Sequence, residues 1–367
     1  MASLDTLFKY VVEKGASDLH LESRSQPRIR QHGVIRVIDG QPVLAADAMK
    51  KLLMEIAPPS IWKEFEATSD IDFAHELEGT GRFRCNYFVD ANGPGAVFRV
   101  VPTKVPTVEE LKLSPVLAEL CDLKKGLVLV TGPTGSGKST TLAALVDRIN
   151  KTRTDHVITI EDPIEFIYEN NKCLISQRQV HTHTESFKKA LRAALREDPD
   201  VVLIGEMRDL ETVEIALETA ETGHLVFATL HTTTAASSVD RIIDQFPAGQ
   251  QNQIRTMLAS TLKAVVAQTL CKKASGTGRA AAFEILIVNS AVAANIRDGK
   301  THQLPSIMQV GQGMGMRLLN DSLLELLKGG VIDAVEAYLN AADKKDIYVR
   351  IREMGHMLDV GKLAGGA

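Results

Sequence analysis

Nine consecutive residues carry the clearest chemistry in this chain. Gly132-Pro133-Thr134-Gly135-Ser136-Gly137-Lys138-Ser139-Thr140 contains the spacing GxxxxGK[ST]. Glycines at these positions let successive backbone N–H groups converge on one point, where phosphate oxygens can be held. A helix that starts where such a loop ends adds the positive end of its dipole. Lys138 supplies a mobile point charge for β- and γ-phosphates, and the Ser139 hydroxyl is a hard oxygen ligand for Mg²⁺. The motif follows the apolar run GLVLV at 126–130 and precedes a helical pattern at 140–149, the strand–loop–helix context it requires. A nucleoside triphosphate, ATP or GTP, is the ligand this loop fits.

Three clusters downstream supply the rest of a hydrolytic site. In Asp200-Val-Val-Leu-Ile-Gly-Glu206 an apolar strand and a glycine lead to a carboxylate. Glu206 stands where an acid holds a Mg²⁺-bound water or polarises an attacking one, so Ser139 and Glu206 are the expected metal set. The run TIEDPIEF at 159–166 brings Glu161, Asp162 and Glu165 within five residues, and Pro163 ends the strand ladder and turns the acids outward. Crowded carboxylates repel one another unless a cation or its bound water lies near, which makes Glu161 and Glu165 catalytic candidates. His224 and His231 flank the apolar run at 225–230. His231 leaves it at the end where the other strands carry functional groups, so it is placed to sense a γ-phosphate; His224 is a candidate with it. His181 and His183, in VHTHT, read as an incidental polar loop. Cys85, Cys121, Cys173 and Cys271 are too far apart for a paired zinc knuckle and read as independent buried thiols.

These groups need a rigid frame. Apolar, β-branched runs at 127–130, 157–160, 201–204 and 225–229 alternate with helical patterns, as in a parallel sheet covered on both faces. Residues 1–101 read as a small α+β domain with a mostly antiparallel sheet. Strands are expected there at 28–30, 34–38, 82–89 and 96–101, and helical spacing links Leu4, Leu7, Phe8, Val11 and Val12, then Met49, Leu52, Leu53 and Ile56. Turns are expected at Gly33 and at Gly93-Pro94-Gly95. Residues 102–125 read as a linker with a short helix near 115–121, and 126–290 as the α/β core. Residues 291–367 read as a helical region with a glycine-rich break at 311–315 and a frayed tail from Gly361.

Composition sets outer bounds. With 367 residues, 44% hydrophobic and 24% charged, the chain can bury a two-domain core. No run approaches the roughly 18 apolar residues of a membrane span. The start MASLDTLFKYVVEKG carries charge inside its apolar stretch, which fits a cytoplasmic amphipathic helix and not a secretory signal. Lys and Arg number 42 against 46 Asp and Glu, and aromatics are 5%. A nucleic-acid translocase, which needs a basic groove and stacking platforms, is therefore not expected.

The phosphate loop GPTGSGKSTTLAA, the acidic box TIEDPIEF, the segment DPDVVLIGEMRDLET and the histidine box ETGHLVFATLHT occur in that order. Together they resemble the secretion ATPase superfamily (GspE/PulE and VirB11-like proteins), and most closely its PilT-like retraction motors of type IV pili. GASDLHLESRSQPRIRQHGVIRVI and GRFRCNYF are similar to that family's opening, so the resemblance spans about residues 5–330. It implies a RecA-like P-loop ATPase domain preceded by a PAS-like α+β domain and followed by a helical region. It also implies Mg²⁺-dependent ATP hydrolysis that drives pilus retraction in a homohexameric ring, where one subunit's small domain covers its neighbour's nucleotide. Arginines on strands of the small domain reach that nucleotide in the family. Arg84 and Arg99 match them, with Arg82 third, and alternation with apolar residues puts all three on one sheet face. The implied partners are an inner-membrane pilus platform protein and a paralogous retraction ATPase, with the protein at the cytoplasmic face of the inner membrane through those partners alone.

The chain lacks the paired cysteines of assembly ATPases, in keeping with the shorter retraction type. It departs from the retraction motors at AIRNLIR, which here reads AVAANIR, with Ala293 and Ala294 where Arg and Asn are expected. The stretch 340–352 is similar to the tail of PilU-type accessory motors. Weak retraction without a second motor is the expectation from these two departures. A low-turnover ATP-binding regulator is disfavoured, because Lys138, Glu165, Glu206 and His231 are all present.

Overall fold

The computed structural model describes residues 4–31, 33–101 and 104–358. The chain divides into two compact units, one up to Lys104 and one from Val105. The first runs α1 (Leu4–Glu13), β1 (Asp18–Glu22), β2 (Arg28–Gln31), β3 (Val34–Val37), α2 (Ala46–Met54), α3 (Pro59–Thr68), β4 (Asp70–Leu77), β5 (Gly81–Asp90) and β6 (Gly93–Val101). Its strands form one antiparallel sheet in the order β3-β2-β1-β6-β5-β4. Alternation along β5 buries Phe83, Cys85 and Tyr87 and leaves Arg82, Arg84 and Asn86 on the opposite face. Phe8 of α1 stacks on Phe83 with ring centroids 4.0 Å apart, closing the core.

Gly93, Pro94 and Gly95 do not make the expected turn; they belong to β6. The hairpin instead turns at Ala91-Asn92, where Asp90 Oδ1 accepts from the Asn92 and Gly93 amides at 2.7 and 3.1 Å. An Asx turn has taken the role assigned to glycine and proline.

The second unit runs α4 (Pro115–Glu119), β7 (Gly126–Thr131), α5 (Lys138–Thr152), β8 (His156–Glu161), β9 (Leu174–Gln179), α6 (Phe187–Ala194), β10 (Val201–Ile204), α7 (Leu210–Glu221) and β11 (Leu225–Leu230). It continues through α8 (Ala235–Asp244), α9 (Gln251–Thr261), β12 (Leu262–Lys272), β13 (Arg279–Ile287), α10 (Ser290–Arg297), α11 (Leu304–Val310), α12 (Leu319–Lys328), α13 (Ala334–Asn340) and α14 (Lys344–Glu353). The sheet order is β13-β12-β7-β11-β10-β8-β9, with every neighbouring pair parallel except β12–β13. All residues of β7, β10 and β11 are buried, as in central strands covered by helices on both faces.

Residues 105–125 are packed and are not a free linker. Val108, Leu113, Leu117, Leu120 and Cys121 are buried in the core that Leu142 and Leu145 of α5 also line. Pro102 and Thr103 of the expected linker lie outside the described residues, as does the expected frayed tail. All four cysteines are free and buried. Among the described residues no helix is long and apolar enough to cross a membrane.

Candidate functional site

Four adjacent strands deliver their carboxyl ends to one edge of the second sheet. The 132–139 loop follows β7, His231 follows β11, Glu206 lies just beyond β10, and Glu161 ends β8. This edge is where doubly wound sheets bind ligands. Within the loop Gly132, Gly135 and Gly137 have φ of 144°, 78° and 89°, where a side chain is strained. Gly132 is also hemmed in, since a Cβ there would stand 2.2 Å from the Gln268 carbonyl oxygen. The helix α5 starts at Lys138, so its first amides face the loop with no side-chain cap on Gly137.

Lys138 lies back over this loop, with Nζ donating to the carbonyls of Gly132 at 2.8 Å and Pro133 at 3.2 Å. Burial holds its pKa below that of an ordinary lysine, and the charges of Glu206 and Glu165 pull the other way. Those two carboxylates therefore act on the lysine that the phosphate loop carries.

Glu206 is held from both sides. Its Oε1 is 2.7 Å from His231 Nε2 and its Oε2 accepts from Arg208 Nη2 at 2.7 Å. Burial would raise this carboxyl, but the hydrogen bonds and charges of Arg208 and His231 outweigh it, so it lies below the usual range. Gly205 permits the close crossing that aims Glu206: a Cβ there would meet the Ile160 carbonyl at 3.1 Å and Glu161 Cα at 3.2 Å.

Glu161 is the opposite case. Burial pushes its carboxyl up to about 7, against opposing hydrogen bonds from Thr159 Oγ1 at 2.7 Å and Gln177 Nε2 at 3.4 Å. Glu165, four residues on, is exposed, and among the described residues its carboxylate makes no hydrogen bond or ion pair. Gln177 of β9 also donates to Phe166 O and accepts from the Tyr168 amide, which pins the whole acidic loop.

Not every expected residue joins this edge. His224 lies at the amino end of β11, about 20 Å of strand away from His231. Its Nδ1 sits 3.0 Å from Thr219 O at the end of α7, and its own carbonyl accepts from Gly126, so it seals a helix-to-strand corner. The catalytic candidacy of His224 therefore has no support within this subunit's sheet edge, because the strand that His231 leaves at that edge is entered by His224 at the other. Arg84 and Arg99 belong to the first unit, as cross-strand partners on β5 and β6. Arg99 Nε donates to the buried Asp18 at 2.9 Å, and Arg84 Nε stands 3.6 Å from Asp72. His183 Nδ1 accepts from the Gln179 amide, in line with a structural role for that loop.

Arg208, Gln177, Gln268 and Thr141 were not singled out from the sequence. None of the four carries a signal in the sequence alone; each is marked by a partner that only the fold brings to it. A cavity of about 970 Å³ opens beside the loop, lined by Gly137, Thr140, Thr141, Gln268, Arg279 and Phe283 among others.

The model of the family described as "Type II/IV secretion system protein" matches residues 1–304. The chain belongs to the type II/IV secretion system protein family. Within that family it is 49% identical to the type IV pilus retractation ATPase PilT of Pseudomonas aeruginosa over 331 residues, 90% of this chain and 96% of that one. It is 38% identical to the type IV pilus ATPase PilU of the same organism over 348 residues, 95% of this chain and 91% of PilU. The crystal structure of the pilus retraction motor PilT with bound ADP superposes with a TM-score of 0.89 at 43% identity, covering 94% of this chain and 99% of that one. The family resemblance drawn from the four sequence boxes holds over nearly the whole chain.

Proposed function

We propose that this protein is the ATP-hydrolysing subunit of a type IV pilus retraction motor. The observation that carries the reading is the single sheet edge on which the phosphate loop, Lys138 and the His231–Glu206–Arg208 cluster meet, in a chain that is 49% identical to PilT. Residues 132–140 would cradle the phosphates, and the neighbouring cavity has room for the nucleoside. Lys138 leaves its two loop carbonyls for β- and γ-phosphate oxygens, exchanging neutral acceptors for charged ones.

Mg²⁺ fits the donors present. Among the described residues no group of three or more His, Cys, Asp or Glu could hold an ion alone. The Ser139 hydroxyl and a water on Glu206 would share the ion with the nucleotide, as Mg²⁺ prefers. Bound there, it neutralises charge on the phosphate oxygens. Glu206 is tied to two donors and stays ionised, which suits it to orient water. Glu165 has a carboxylate without such ties and can take the proton as the water oxygen attacks the γ-phosphorus and the bond to the β-phosphate oxygen breaks. His231, through its ring N–H, would report the γ-phosphate to Glu206. Glu161, half-buried and braced by Thr159 and Gln177, supports the loop that carries Glu165.

Ring assembly belongs to the same reading. Six subunits would form a homohexamer in the cytoplasm, at the inner-membrane platform protein, with Arg84 and Arg99 of one subunit serving the neighbour's nucleotide. A mixing experiment tests it. Subunits carrying Arg84→Ala and Arg99→Ala, co-assembled with subunits carrying Glu206→Gln, should regain ATPase activity, because some interfaces then hold both intact halves. With subunit exchange demonstrated by differential tags, no recovery would remove the arginines from the neighbour's site.

An accessory motor working with a paralogue is the second reading, favoured by Ala293 and Ala294. Helix α10 persists through the altered motif, capped by Asn289, but Ala293 packs partly against the core. Ala293 and Ala294 are both half-buried, so the lost contact can lie at either position.

A further inference from the structure

A buried glutamine beside the phosphate loop has no part in the steps above. Gln268 lies on β12, next to β7 in the sheet, and is 5% exposed. Its Nε2 donates to Ser136 O at 2.7 Å, and its Oε1 accepts from Thr141 Oγ1 at 2.7 Å. Thr141 is itself buried, in the first turn of α5. One side chain thus ties a carbonyl of the loop to the helix that the loop opens. Little slack remains, because a Cβ on Gly137 would stand 2.8 Å from Gln268 Nε2.

The tie has a direction. In a planar trans peptide the C=O and the following N–H point opposite ways. Holding the Ser136 carbonyl toward β12 therefore turns the Gly137 N–H away from it. Among the described residues that amide has no hydrogen-bond acceptor, so it is an orphan donor at the start of α5. An amide preset in this way spends no reorganisation when an anion arrives.

We propose that Gln268 is a positioning residue for the nucleotide: it locks the Ser136–Gly137 peptide so that the Gly137 amide is aimed at a phosphate oxygen, and sets α5 in register with it. This rests on the reading of 132–139 as the phosphate site. Glutamine is required because the link needs a donor and an acceptor on one planar group. Gln268→Glu keeps the acceptor for Thr141 but replaces the donor with an oxygen facing the Ser136 carbonyl.

The test uses the purified full chain, a fluorescent ADP as probe, and steady-state ATP kinetics. Gln268→Glu should weaken ADP binding and raise KM for ATP by about 10-fold, the loss of roughly one good hydrogen bond to a charged group. Without nucleotide its thermal midpoint should stay within a few degrees of the natural chain. Thr141→Val should weaken ADP binding more than Thr141→Ser does. Combining Thr141→Val with Gln268→Ala should cost little beyond Gln268→Ala alone, since both cut one link. Natural ADP affinity and KM in Gln268→Glu would overturn the proposal. So would full additivity in the double variant, which remains decisive if Gln268→Glu does not fold. If Lys138→Ala also bound ADP normally, the phosphate-site reading itself would fail; if only Lys138→Ala lost binding, the role of Gln268 alone would.

Discussion

Purified protein carrying Lys138→Ala should lose ATP turnover by roughly 10²- to 10³-fold, with nucleotide affinity reduced as well. The reason lies in where the charge sits. Lys138 is the cation of the loop, held 2.8 Å from the Gly132 carbonyl and facing the combined field of Glu165 and Glu206. Removing it leaves those carboxylates facing phosphate oxygens without the loop's own counter-charge, a repulsion that grows as charge moves onto the γ-phosphate. Folding should survive, because the Pro133 carbonyl is exposed to water and only the Gly132 carbonyl loses its donor at a buried site. Steady-state hydrolysis and fluorescent-nucleotide titration check this together. Turnover equal to that of the natural chain would remove Lys138 from the chemistry.

Glu206→Gln and Glu165→Gln should separate binding from chemistry. Each should lower kcat by about 10²-fold or more while ATP affinity changes little. Glu206→Gln is expected to cost more. An amide at 206 can accept from His231 or from Arg208, but it turns an N–H toward the other and forfeits the charge that both donors stabilise. Glu165→Gln removes a proton acceptor and leaves the His231–Glu206–Arg208 cluster intact. Single-turnover hydrolysis beside equilibrium binding distinguishes the two effects. Near-natural kcat in both variants would leave the site without a base.

What the sequence made legible was contiguous. The loop at 132–139 and the strand-end acids at 161 and 206 are each short runs whose context is a strand before and a turn after. What stayed hidden was distant pairing. Gln268 meets Ser136 across 132 residues of chain, and Arg208 is recognisable as a site residue only once His231 is seen on the other oxygen of Glu206. The strands β9, β12 and β13 escaped for related reasons. LISQRQ is largely polar because its glutamines bond the acidic loop, and RAAAFEILI owes its strand to pairing with β12 more than to propensity. The flanking positions of His224 and His231 were legible, but not that His224 bonds Thr219 O at a helix-to-strand corner, six strand residues away from the edge His231 joins.

The most direct test of the account is the retraction of single pili in a strain whose own retraction ATPases have been deleted, supplied with this chain alone. The account predicts that pili retract, though weakly without a second motor, that twitching motility returns in part, and that Lys138→Ala at equal abundance restores neither. Pili that stay extended while the natural chain, present and hydrolysing ATP, is the only retraction ATPase in the cell would contradict it.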